Sequence, residues 1–124
     1  MKRYLAASLL SCAAFAAVAA SSHDAVKPKH GGVVQHVSEI DFELVIQGEN
    51  AVIYLFDHGK PKSAGGISGT LSVVGADPKS DAQLVFAGAN KLEAKSVKLR
   101  SGSKVVVKLV NVGGKPATIN FTSK

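Results

Sequence analysis

After position 12 the chain has no cysteine; it has no tryptophan at all, and its one methionine is Met1. No disulfide can staple the domain, no thiol can act as nucleophile, and no cysteine array can close around zinc. Motifs of catalysis are missing as well. There is no Gly-x-Ser-x-Gly elbow, no glycine loop for phosphate and no His-Glu-x-x-His pair, so the residues give no support to an enzyme. Clustered basic residues are also absent. Lysine and arginine number 15 against 9 acids, and without Lys2 and Arg3 the balance is 13 to 9, a scattered excess that does not suit a nucleic-acid partner. Histidine is missing from everything after His58.

What is present begins with a targeting segment. Met1-Lys2-Arg3-Tyr4 is a short basic start, Leu5 to Ala19 is an apolar run rich in alanine and leucine, and Val18-Ala19-Ala20 offers small residues for cleavage. Residues 1–20 therefore read as a signal peptide, too short to span a bilayer, with export to the periplasm expected and no membrane span after its removal. Leu9-Leu10-Ser11-Cys12 loosely resembles a lipoprotein processing site, but it falls in the middle of the apolar run. Residues 21–30, polar and carrying Pro28, read as a flexible N-terminal arm, and residues 31–124 form one domain with a single core.

Within the domain, apolar residues alternate in short runs separated by turn residues. Val33 to His36 is a short strand. Asp41 to Gln47 and Ala51 to Asp57 form a hairpin across Gly48-Glu49-Asn50, with Phe42, Leu44 and Ile46 on one face. Asp41 and Glu43 fall on the opposite face and, with Glu39, are expected to meet solvent, where any of the three could complete a metal site. Gly69 to Val74, Ala82 to Phe86, Lys104 to Asn111 and Ala117 to Thr122 are further strands, with a turn at Asp77-Pro78. Lys91 to Arg100 is ambiguous between a broken strand and a short helix, and its neighbours favour a strand or an irregular edge. The expected fold is all-β, an antiparallel immunoglobulin-like β-sandwich of seven or eight short strands.

All four histidines lie between His23 and His58. Imidazole is the commonest protein metal ligand, and carboxylates join it on divalent ions. His30 and His36 flank the Gly31-Gly32 bend, which would let one segment fold over the sheet, and Asp57-His58 ends the second hairpin strand. The pair Asp57-His58 is not read as a catalytic dyad, because neighbouring residues of a strand point to opposite faces. Cleavage after Ala20 would expose Ser21-Ser22-His23, where amine, two amides and imidazole suit square-planar Cu(II) or Ni(II). The bland reading is that these histidines are solvated and the carboxylates only keep the outer face soluble.

The order His30-Gly31-Gly32, Phe42-Glu43-Leu44-Val45, Val52 to Pro61 and Asn90-Lys91-Leu92-Glu93-Ala94 resembles a group of small proteobacterial periplasmic domains. These occur alone or as N-terminal extensions of the periplasmic adaptor subunits of heavy-metal efflux pumps. The resemblance implies a periplasmic β-sandwich that binds metal and buffers it or delivers it to an efflux adaptor or pump. It places the ligands at His30, Asp57 and His58, with His36 and His23 as secondary candidates. Methionine-rich stretches suited to Cu(I) or Ag(I) are missing, so histidine and carboxylate point to Cu(II), Zn(II), Ni(II) or Co(II) as the bound ion. The alternative is a non-catalytic structural or protein-interaction module of an envelope complex. Intact-mass spectrometry of the exported protein is expected to show a chain beginning at Ser21; a start at Ala20 would move His23 to fourth place and remove the terminal chelator.

Overall fold

A computed structural model describes residues 26–75 and 80–124. The signal segment, Cys12, the Ser21-Ser22-His23 motif and the Asp77-Pro78 turn lie outside the described residues. Nine strands follow in order: β1 Val33–Val37, β2 Ile40–Gln47, β3 Asn50–Asp57, β4 Lys60–Pro61, β5 Ser68–Val74, β6 Ser80–Phe86, β7 Lys91–Ala94, β8 Lys104–Val112 and β9 Lys115–Thr122. No helix occurs among the described residues, and every strand pair is antiparallel. The all-β expectation therefore holds, with the two-residue β4 as the strand that alternation alone did not reveal.

Neighbours in the sheet run β1-β2-β3-β7-β6-β5-β8-β9, with β4 on β3. The order turns a corner at β6, whose Ser80 to Leu84 pair with β5 while Val85 and Phe86 pair with β7. At the two ends of the order, β1 and β9 lie alongside each other, so the sandwich is nearly closed into a barrel. Lys91 to Ala94 is thus an interior strand between β3 and β6 rather than an edge, and residues beyond it leave the sheet.

The alternating faces explain the core. Phe42 and Leu44 of β2, Ala51, Ile53 and Leu55 of β3, Leu71 and Val73 of β5, Val105, Val107 and Leu109 of β8 and Ile119 and Phe121 of β9 are all buried. Each large aliphatic or aromatic member contributes on the order of 1.5–3 kcal/mol by leaving water. Ile46, the third member of the β2 face, lies at the open end and stays 38 % exposed. Ser123 shuts the base beside Arg100–Ser103: its hydroxyl donates to the Arg100 carbonyl at 2.5 Å and accepts from the Ser103 amide at 3.0 Å.

Three connections are tight two-residue turns with left-handed backbone at both central positions, the geometry that matches strand twist in a hairpin. That of β8 to β9 uses Gly113 at φ 59° and Gly114 at φ 80° between paired Val112 and Lys115, and the other two include residues other than glycine. One joins β3 to β4, with His58 at φ 50° and Gly59 at φ 82° between paired Asp57 and Lys60. The other joins β1 to β2 through Ser38 at φ 52° and Glu39 at φ 65°, between paired Val37 and Ile40. Neither Ser nor Glu favours this backbone, where a Cβ costs about 1–2 kcal/mol. The double replacement Ser38→Asn, Glu39→Gly is expected to stabilise the domain by about 1 kcal/mol, read as a higher urea midpoint at unchanged slope.

Candidate functional site

The β2 residues that alternate away from the core point to the outer face of the sheet, where Glu43 pairs across to Val34 on one side and Tyr54 on the other. There Glu43 is fully buried and Asp41 only 5 % exposed, against the expectation that both would meet solvent. Glu39, in the β1–β2 turn, is exposed as expected. What covers Glu43 is the segment before β1. Its carboxylate accepts hydrogen bonds from the backbone amides of Lys29 (3.2 Å), His30 (2.8 Å) and Gly32 (2.9 Å), and His30 Nδ1 lies 3.0 Å from Oε1.

The sequence His30-Gly31-Gly32 makes this clasp possible. Gly31 adopts φ 73°, turning successive amides toward one point, as in a backbone nest for an anion. Gly32 lies so close to β2 that an added Cβ would stand 2.2 Å from the Leu44 carbonyl oxygen. His30 then lies flat on Tyr54, ring centroids 3.7 Å apart and planes 7° from parallel. Lys29 continues the cover: its ammonium sits 4.8 Å above the Phe56 ring and donates to the Gly59 carbonyl. The end of the arm at residues 29 and 30 is therefore tied to the sheet.

Three of the expected ligand histidines fall among the described residues, and each has Nδ1 against a carboxylate: His30 on Glu43, His36 on Asp41 at 2.7 Å, and His58 on Asp57 at 2.5 Å. His36 and Asp41 are directly paired positions of β1 and β2. Asp57 and His58, expected to point apart as strand neighbours, meet because His58 belongs to the turn, and its left-handed backbone swings the ring back toward Asp57. The side chains differ in access: His58 is 82 % exposed and Asp57 50 %, while His30 is 38 % exposed against a buried Glu43. His30 crosses the outer face above Tyr54 and does not join Asp57 and His58. Among the described residues no three histidine, cysteine or acidic side chains come together as a metal-holding group. His23 lies outside the described residues.

Tyr54 and Lys29 were absent from the sequence-derived site, and Glu43 stood there only as one of three carboxylates that could complete it. The signal for Glu43 was an acid in the middle of a strand of largely apolar residues, preceded by a Gly-Gly segment whose amides needed acceptors. No protein-family model matches the chain, and neither does any curated protein or solved structure.

Burial pushes the Glu43 carboxyl up, but the Gly32 amide, the His30 ring and the His30 and Lys29 amides together hold it below the usual carboxylate value. A carboxyl whose folded value is depressed adds stability that is present above its unfolded value, about 4.3, and is lost as pH falls through the folded one. Glu43→Gln turns an amide NH2 toward three N–H donors. At neutral pH it is expected to cost about 2–3 kcal/mol, measured by urea unfolding, with parent and variant converging as acid protonates the parent.

Proposed function

We propose that this is an exported, non-catalytic protein that binds a divalent transition metal, Cu(II), Zn(II), Ni(II) or Co(II), and buffers it or passes it to an efflux assembly of the periplasm. One observation carries the reading. All three described histidines are oriented by a carboxylate at Nδ1, the arrangement by which proteins fix the tautomer and direction of metal-binding imidazoles. The pairs are separate, so each offers few ligands and open positions. Such a site holds metal loosely enough to yield it to a partner with more donors.

The three pairs suit different tasks. His30 is held by Glu43 and by its stack on Tyr54, which makes it principally a fastening for the arm. Asp57 and His58, exposed at the tip of a turn, are the donors an incoming ion meets first. A neutral imidazole with a carboxylate favours borderline divalent ions over Cu(I). A second reading, a protein-interaction module, draws support from Val85 and Phe86, adjacent on β6 and about half exposed at 52 % and 51 %.

Titration calorimetry of the exported protein with Cu(II), Zn(II) and Ni(II) is expected to show binding tighter than about millimolar, roughly −4 kcal/mol. His58→Asn, which keeps a residue tolerant of left-handed backbone, is expected to weaken it at least about tenfold. Absence of binding with all three ions would leave the interaction module as the better reading.

A further inference from the structure

We infer that the outer face of β5, β8 and β9 docks an extended acidic segment of a partner protein, with Lys104 and Lys108 receiving two of its carboxylates. The inference is independent of the metal-binding reading, and its surface belongs to strands that carry no histidine.

Cations are spread singly along the chain, but acids are not shared evenly. Residues 94–124 contain six lysines and one arginine with no aspartate or glutamate, whereas residues 21–93 contain six lysines and nine acids. The stretch without acids includes β8 and β9, which pair with each other and, through β8, with β5. Val105, Val107 and Leu109 fill the core, so alternation turns Lys104, Val106 and Lys108 outward. Register sets Thr122, Asn120 and Thr118 of β9 directly beside them. The side chains of both lysines, both threonines and Asn120 are exposed and make no hydrogen bond or ion pair with any described residue. Asp81, two strands away on β6, is the one acid among the described residues of β5, β6, β8 and β9.

Spacing and charge define what fits. The two lysines stand four positions apart on one strand, about 13 Å along it. An extended chain laid along β8 repeats that distance between residues i and i+4 and turns both side chains to the same face. Its residue i+2 meets Val106, and its backbone amides and carbonyls meet the β9 hydroxyls and the Asn120 amide, which both donate and accept. Beside Lys104 a shallow cavity of about 340 Å³, lined in part by Val74, Val106, Asn120 and Thr122, gives room for one side chain. That recess favours a discrete side chain over a lipid surface, and no aromatic ring stands among these outward residues to stack a sugar. A face without neighbouring acids draws an acidic segment and repels a basic one. Exposed lysine–carboxylate contacts are individually weak, so the complex forms and dissociates readily.

Amide NMR of the labelled protein tests this, titrated with a capped seven-residue peptide carrying aspartate at its second and sixth positions and valine at its fourth. The signals of Val74, Lys104, Val106, Lys108 and Asn120 are expected to move together, with a dissociation constant below about 1 mM at low salt. Raising salt to about 0.2 M is expected to weaken binding several-fold, because exposed charges are screened. Lys104→Glu with Lys108→Glu changes two exposed side chains without partners; it is expected to keep the dispersed spectrum and weaken binding at least about tenfold. The milder pair Lys104→Gln with Lys108→Gln is expected to weaken it several-fold, and so is a peptide whose aspartates are adjacent. Equal binding of the two peptides would overturn the extended, strand-aligned segment. No shift on this face, or shifts that persist in the glutamate double variant, would overturn the docking surface. Binding to vesicles containing phosphatidylglycerol, lost in the double variant and with no response to either peptide, would assign the face to a lipid surface and overturn the protein partner.

Discussion

A carboxylate with no access to water organises the outer face of this domain. Burying Glu43 is tolerable only because three backbone amides and an imidazole surround its two oxygens, since a buried charge without partners would cost several kcal/mol. The requirement runs in both directions. The Lys29, His30 and Gly32 amides precede the first strand and have no ladder to join, and Glu43 gives them one acceptor. The clasp thereby fixes the direction in which the chain enters β1, lays His30 on Tyr54 and carries Lys29 across Phe56 to the β3–β4 turn. One acid on the outward face of a strand thus links the chain entry to the tip that presents Asp57 and His58.

That linkage separates two roles for histidines of the same type. His30 sits among a buried acid, an aromatic ring and backbone, where its geometry is over-determined. His58 has one carboxylate partner, Asp57, and stands in solvent, where a change at its ring disturbs little of the fold. Segregation of histidine into the first part of the domain had made these residues look like members of one cluster. In the folded chain they lie apart, and Lys29 runs between them, from the Glu43 clasp to the Gly59 carbonyl.

The strands were legible because alternation is a direct record of which face is buried. Phe42 and Leu44, Ile53 and Leu55, and Val105 and Val107 each declare a core side without knowledge of their partners. Strand order was not legible, because pairing β3 with β7 and β5 with β8 depends on long-range closure that leaves no local mark. Glu43 was misread for a related reason: alternation shows that a residue faces away from the core, but not that another segment will cover it. The Asp57–His58 contact was misread because the strand was taken to continue through His58, whereas the left-handed backbone of the turn begins there.

The account's central claim is that His58, paired with Asp57, receives the metal while His30 remains the fastener of the arm. Imidazole nitrogen NMR of the labelled protein, followed through a zinc titration at neutral pH, tests it most directly. The ring nitrogens of His58 are predicted to shift first, with those of His30 unchanged at low zinc. Early movement of the His30 signals, or no response from any histidine ring, would contradict it.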